Sequence, residues 1–240
     1  MKRFATILFL AVFSVSCMRW LTKETISDNG NVVIQERTLG NYTKVKNVGN
    51  LEVILSKGEV GKIRIEASDN LLPLISTTIE GDNLIIELDD DYNYNINHKA
   101  VVYVPVNSSL SEITLTGFSN ISLQDRLKVN HLECNLLGTG NIAINIDANE
   151  LELSIIGSGD IKAEGNSPTL TASITGSGNI NAQDIKSERA KAKISGSGNI
   201  MVYTSEEIEA KITGAGNIFV EGNPKKQDTS VLGVGNIDFK

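Results

Sequence analysis

The sequence predicts an all-β fold of the parallel β-helix-like solenoid kind, a single-stranded winding of coil upon coil with an aperiodic β lead-in. Three observations predict it. A unit of the form Gly-x-Gly-Asn-Ile recurs seven times, starting at Gly117, Gly138, Gly157, Gly176, Gly196, Gly214 and Gly233. Successive first glycines are 21, 19, 19, 20, 18 and 19 residues apart, a period that marks stacked structural repeats. Apolar and polar residues alternate on both sides of every copy, which is the two-residue period of half-buried strands and not the period of a helix.

The elements follow in chain order. Lys2 and Arg3 precede an uncharged, mostly apolar run from Phe4 to Val15. That run is too short to span a bilayer and reads, with Ser16, as a signal peptide over residues 1–16. Phe13-Ser14-Val15-Ser16-Cys17 resembles a bacterial lipobox, with Cys17 as the acylated mature N-terminus. Ser14 and Ser16 also satisfy the small-x-small rule of ordinary cleavage, which would leave a freely secreted protein. The mostly polar residues 17–40 read as the lipidated cysteine and its tether, and residues 41–239 as the folded domain.

Within that domain, residues 41–107 form a lead-in and cap. Val48-Gly49-Asn50-Leu51-Glu52-Val53 echoes Val234-Gly235-Asn236-Ile237-Asp238-Phe239 and reads as an eroded coil. Lys62–Ala67 and Ala100–Val106 have strand patterns, and Thr78–Ile86 reads as a hairpin around Gly81-Asp82. Residues 108–239 hold the seven coils. Two residues before each first glycine stands an aliphatic (Leu115, Leu136, Ile155, Ile174, Ile194, Ile212, Val231), and four before stand Ile113, Cys134, Leu153, Ala172, Ala192, Ala210 and Thr229. The motif isoleucine lies four after, and Leu123, Ile144, Ala163, Ala182, Val202, Val220 and Phe239 lie six after. A strand–turn–strand unit suits either a hairpin meander or a β-helix. Agreement of side-chain class between residues a full coil apart favours the β-helix, because a meander pairs each strand with its sequence neighbour.

The corner is the candidate site. Its second glycines are Gly140, Gly159, Gly178, Gly198, Gly216 and Gly235, followed by Asn141, Asp160, Asn179, Asn199, Asn217 and Asn236. Glycine reaches positive φ without a Cβ clash, and Asn tolerates that region best among other residues. Stacked coils would align the amides as a ladder, interrupted by Asp160. The first copy carries Ser119 in place of the second glycine.

This repeated unit, after Val45-Lys46-Asn47-Val48-Gly49-Asn50-Leu51-Glu52-Val53 and Ser68-Asp69-Asn70-Leu71-Leu72, resembles the bacterial family described as putative auto-transporter adhesin, head GIN domain. The resemblance covers about residues 42–239 and implies a right-handed parallel β-helix on a secreted or lipid-anchored, outer-membrane protein of Bacteroidota-type bacteria. It implies adhesion or binding, to an unknown protein or glycan, and no catalytic residues. Full auto-transporters end in a membrane barrel, whereas the repeats here run to Lys240, so export is expected to depend on other machinery. Met18-Arg19-Trp20 stand where surface-exposed lipoproteins of such bacteria tend to be acidic, which leaves both faces of the outer membrane open. A structural or regulatory periplasmic protein is the alternative.

Chemistry is sparse in the remainder. His98 and His131 stand alone in sequence and suggest no zinc site, and no cofactor or metal is expected. Asp89-Asp90-Asp91 lacks the glycine and glutamate of an EF-hand. Cys134 sits on the apolar alternation, as a core cysteine does. Arg189, Lys191, Lys193 and Lys211 share an outward face, as a polysaccharide lyase of this architecture would require, with Lys191 beside Glu209. Coil steps of 18–21 leave little chain for groove-walling loops. The formal charge of −7 becomes −9 once Lys2 and Arg3 leave with the leader, which argues against nucleic acid. The final coil exposes Val231, Ile237 and Phe239 at an edge that a second copy would cover. Cys17→Ala is expected to abolish detergent-phase partitioning and to leave the precursor uncleaved; normal processing, with no acyl mass on the wild type, would make the protein freely secreted.

Overall fold

The structure is a computed structural model, and residues 23–240 are described. Cys17 and the leader lie outside the described residues. Strands β1 (Thr25–Ser27) and β2 (Val32–Thr38) come first, then β3 (Lys44–Gly49) and β4 (Glu52–Lys57). The lead-in continues with β5 (Lys62–Ser68), a 3-10 turn at Leu72–Leu74, β6 (Ile75–Glu80), β7 (Asn83–Leu88), β8 (Asn93–Asn95) and β9 (Val101–Val106). The repeats comprise β10 (Glu112–Gly117), β11 (Asn120–Leu123), β12 (Leu127–Lys128), β13 (His131–Gly138), β14 (Asn141–Asp147), β15 (Glu150–Gly157), β16 (Asp160–Asn166) and β17 (Thr169–Gly176). Then come β18 (Asn179–Gly196) and β19 (Asn199–Gly214), each running through a second corner into the next coil, and β20 (Asn217–Glu221), β21 (Lys226–Gly233) and β22 (Asn236–Phe239).

The repeats form a parallel β-solenoid of about seven turns. β13 pairs in parallel with β10 and β15, placing Leu136 opposite Leu115 and Ile155. Beyond the corner, β14 pairs in parallel with β11 and β16, placing Ile142 opposite Ile121 and Ile161. The meander is thereby excluded, because the strands joined at each corner lie in different stacks. Alternate residues of both stacks enter one continuous core. Ala172, Ala192 and Ala210 do share one register position, in line with Leu153, Cys134 and Ile113 of earlier coils. That inner row therefore steps down in side-chain size between Leu153 and Ala172, while the row from Leu136 to Ile212 keeps its size. Cys134 is fully buried, and burial pushes its thiol far above the ordinary range. A further buried row, Leu132, Leu151, Leu170, Ala190 and Ile208, completes the inner face six residues before each corner. Buried hydroxyls hold the second corner, where Thr204 Oγ1 donates to Glu188 O at 2.7 Å and Ser167 Oγ to Thr169 O at 2.8 Å.

The lead-in adds one coil and a cap. β3 and β4 stack in parallel on β10 and β11, with Gly49 opposite Gly117 and Val53 opposite Ile121. The eroded coil is real, but the echo places it two residues out of register: Gly49 occupies the first-glycine position, not the second. A shift of two preserves the inside–outside alternation, so pattern alone cannot detect it. The hairpin around Gly81-Asp82 forms, with β6 antiparallel to β7. β7 then joins the first stack beside β3, while β9 joins the second beside β4 and carries β5 antiparallel on its far side.

The structure corrects the extent of the tether. β2 pairs antiparallel with β5 from Val32–Ser68 to Thr38–Lys62, and β1 pairs with β8. The sequence of β2 does not announce itself because its apolar Val32 and Ile34 are exposed, and backbone pairing, not burial, holds the strand. Its Arg37 guanidinium clamps the cap, donating to Ile75 O at 2.6 Å, Leu72 O at 2.9 Å and Thr77 Oγ1 at 3.0 Å.

Neighbours in one strand should respond differently to the same substitution. Ile194 is 3% exposed, while the Lys193 side chain is 47% exposed. Ile194→Asp buries an unpaired charge and is expected to cost more than about 4 kcal/mol, against about 0.5 kcal/mol or less for Lys193→Asp. Chemical denaturation measures both, and equal losses would refute the assignment of faces.

Candidate binding surface at the glycine corner

Each corner is locked to the one before it through backbone. Ser158 N donates to Gly138 O at 2.9 Å and Asp160 N to Gly140 O at 3.1 Å, and Ser177 and Asn179 repeat this one coil on. Both glycines answer to the closeness of the preceding corner, and the first answers to conformation as well. The first glycine of all seven copies has φ between 128° and 141°, a region closed to L side chains. The second is required by proximity: a Cβ on Gly159 would overlap the Gly140 carbonyl oxygen and lie 2.8 Å from Leu136 Cδ2. No residue other than glycine has positive φ among the described residues, which corrects the expectation that asparagine supplies a left-handed position. Ser119 is admitted because Asn47 replaces the aliphatic of the preceding coil, and Asn47 Nδ2 donates to Ser119 Oγ at 2.8 Å.

Asparagine is there for its side chain. Asn141 Nδ2 donates to Asn120 Oδ1 at 2.8 Å, Asn179 to Asp160 at 2.8 Å, Asn199 to Asn179 at 2.9 Å and Asn217 to Asn199 at 3.0 Å. The ladder runs in one direction, each amide donating toward the N-terminal coil. It breaks at Asp160, a carboxylate with no proton to give Asn141. Asn236 leaves it, donating to Asp238 at 2.7 Å.

Two charge clusters lie on the outward face of the first stack. Glu209 lies 3.0 Å from Lys191, 2.7 Å from Lys211 and 4.0 Å from Lys193, and hydrogen bonds from Lys211 and Lys191 lower its carboxyl to about 2. One carboxylate thus offsets part of the positive charge of the three lysines, while Arg189 faces Thr169 on the preceding coil and lies 3.8 Å from Glu188. Coil stacking also places Glu150 beside His131, whose ring nitrogens lie 3.3 Å from Glu150 and 3.2 Å from Glu133. Burial pulls the imidazole pKa down, but the two carboxylates outweigh it and the net direction is up. Ligand-type atoms of His131, Glu150 and Glu152 fall within 4.8 Å of one another, as do those of Asp89, Asp90 and Asp91. The first group could hold a divalent cation, and its spacing is invisible in sequence because its members sit on successive coils.

At the N-terminal head of the ladder the corner opens into a depression of about 270 Å³, walled by Asn50, Glu52, Asn97, Lys99, Phe118 and Asn120. Phe118 is 66% exposed, where later copies have Thr139, Ser158, Ser177, Ser197, Ala215 and Val234. Lys99 pairs with Glu52 at 2.9 Å. The wall over Asn97 is held by Asp28, whose side chain is 1% exposed. Asp28 accepts from the backbone amides of His98 at 2.7 Å and Asn97 at 3.1 Å. Those amides, the His98 one above all, hold its carboxyl below the usual range. Phe118 was legible as the odd residue among seven copies; Asp28, in the expected tether, was not.

With this geometry in view, comparison with known proteins is informative. The chain belongs to the bacterial family described as putative auto-transporter adhesin, head GIN domain, whose model matches residues 41–224. Among solved structures it is similar to a putative adhesin from Bacteroides fragilis, with TM-score 0.81 and 21% identity over 90% of this chain and 100% of that one. A putative lipid binding protein from Parabacteroides distasonis gives TM-score 0.77 and 24% identity over the same shares. A putative adhesin from Parabacteroides merdae gives TM-score 0.72 and 24% identity, over 90% of this chain and 99% of that one. None of the curated proteins compared with the chain matches it. At these identities the likeness establishes the fold.

Asp160→Asn should join the two runs of the ladder. One added side-chain hydrogen bond of about 0.5–1.5 kcal/mol corresponds to a rise of about 1–6 °C in melting temperature for a domain of this size. A fall on calorimetry would mean that the amides do not stabilise the corner.

Proposed function

We propose that the chain is a non-catalytic binding module of the bacterial cell envelope, tethered by lipid at Cys17 and presenting its corner and outward faces to a protein or glycan. The observation that carries this reading is the division of labour within each coil. Glycines, amides and inward aliphatics repeat from copy to copy and hold a rigid stack, while outward positions vary freely. A scaffold with fixed geometry and variable surface suits recognition, since little ordering remains to be done on binding. Family membership supports the same reading. The lyase alternative loses support because Glu209 draws Lys191 and Lys211 into ion pairs. An acyl-binding interior, which the description of one structural neighbour brings to mind, is opposed by the aliphatic rows filling the space between the stacks.

Two details extend the proposal. Val231, Leu232, Val234 and Phe239 are exposed in the last coil, and we assign that edge to contact with a second copy. Met18-Arg19-Trp20 after Cys17 favours the periplasmic face as a second reading of location, with a structural role. Protease treatment of intact cells distinguishes the two faces. The module reading expects loss of the protein on shaving, together with saturable binding of the purified chain to host matrix or glycan. Full protection from protease, with no saturable binding, would overturn it.

A further inference from the structure

Resting on the reading of the chain as a binding module, we propose that the depression at the head of the amide ladder is a subsite for a neutral sugar ring. Its lining is chemically specific. Asn50, Asn97 and Asn120 bring carboxamides, each able to donate and accept, and Phe118 brings an exposed aromatic surface. Glu52 and Lys99 add a carboxylate and an ammonium that cancel at 2.9 Å. A pyranose has a matching division: an apolar C–H face for the aromatic ring and a rim of hydroxyls that both donate and accept. The cancelled charge discriminates against phosphate, uronate and amine ligands alike. A volume of about 270 Å³ suits one ring. A lipid tail would call for an apolar lining, and a protein partner for a far larger contact, on the order of 800 Å² per side.

The site is also built in advance. Asn120 is fixed from behind by the Asn141 amide at 2.8 Å. Glu52 stands on a strand paired with Val101, and its backbone N–H donates to Ala100 O at 3.1 Å. The opposite wall is pinned to the buried Asp28 carboxylate through the Asn97 and His98 amides. Folding does not explain Phe118. Six other copies close the same corner with a smaller residue, and a two-thirds exposed phenyl ring gains little from burial.

The test uses the purified full chain and saturation-transfer NMR with methyl glycosides of neutral hexoses and N-acetylhexosamines, with methyl glucuronide as the anionic control. Saturation of ring C–H protons by at least one neutral glycoside at millimolar concentration is expected. Phe118→Ser, which installs the residue found at Ser158 and Ser177, should weaken that binding about two- to tenfold, the scale of one lost aromatic contact, with an unchanged melting temperature. Lys99→Met should weaken it as well, by leaving Glu52 uncompensated. The inference is overturned if no neutral glycoside binds, if Phe118→Ser binds like wild type, or if the glucuronide is preferred. Saturable binding to matrix protein that survives Phe118→Ser, beside failure with every glycoside, would remove the sugar site and leave the module reading standing; failure of both kinds of binding would remove both.

Discussion

The close approach of one glycine corner to the next is the constraint on which the rest of this structure depends. Two amides of each corner donate to the two glycine carbonyls of the corner before it. That contact leaves no room for a Cβ at either glycine and demands a positive φ at the first. Once the corner is set, the register of both flanking strands follows, since a slip of one residue would turn every inward aliphatic to solvent. Parallel pairing, the continuous core and the amide ladder are consequences of one repeated backbone contact. The cooperativity of such a stack follows too, because no coil can bury its inner face without a neighbour.

The exceptions to the repeat obey the same physics. Ser119 occupies a glycine position only because Asn47, in the coil before, gives up an aliphatic and offers an amide instead. Asp160 keeps its place by accepting from Asn179 while forgoing Asn141. The step in side-chain size from Leu153 to Ala172, then kept at Ala192 and Ala210, shows that one inner row can change volume while the register of the stack is kept. Where the coils end, in the lead-in, antiparallel strands replace parallel ones and Arg37 ties the cap to the 3-10 turn.

Function is confined to what this scaffold leaves over. The outward ion pairs around Glu209 partly offset a face that sequence alone presents as basic, and the His131 cluster gathers ligands that sequence presents as solitary. The depression beside Phe118 lies at the transition between cap and repeats, where the corner is least regular and side chains from three separate segments meet. Irregularity at that place is what makes a concave surface possible on an otherwise uniform edge.

The sequence by itself determined the coil. A near-twenty-residue period, alternating apolar rows and paired glycines are local patterns, and local geometry repeats wherever they do. It determined the inward residues and the alignment of asparagines for the same reason. It could not assign the register of the Gly49 coil, because a two-residue shift preserves alternation. Nor could it separate the purposes of the two glycines, since φ and close approach both select for a missing side chain. Only the tertiary structure decided the matters that depend on contact between distant segments. Backbone pairing recruits Val32–Thr38, a stretch whose Val32 and Ile34 stay exposed and so leave no burial pattern to betray it. Asp28 reaches a loop about seventy residues away, and coil stacking brings Glu150 to His131. Hydrogen bonding between backbones and the meeting of side chains across coils leave no periodic trace in a single chain, so they became visible only once the coils were stacked.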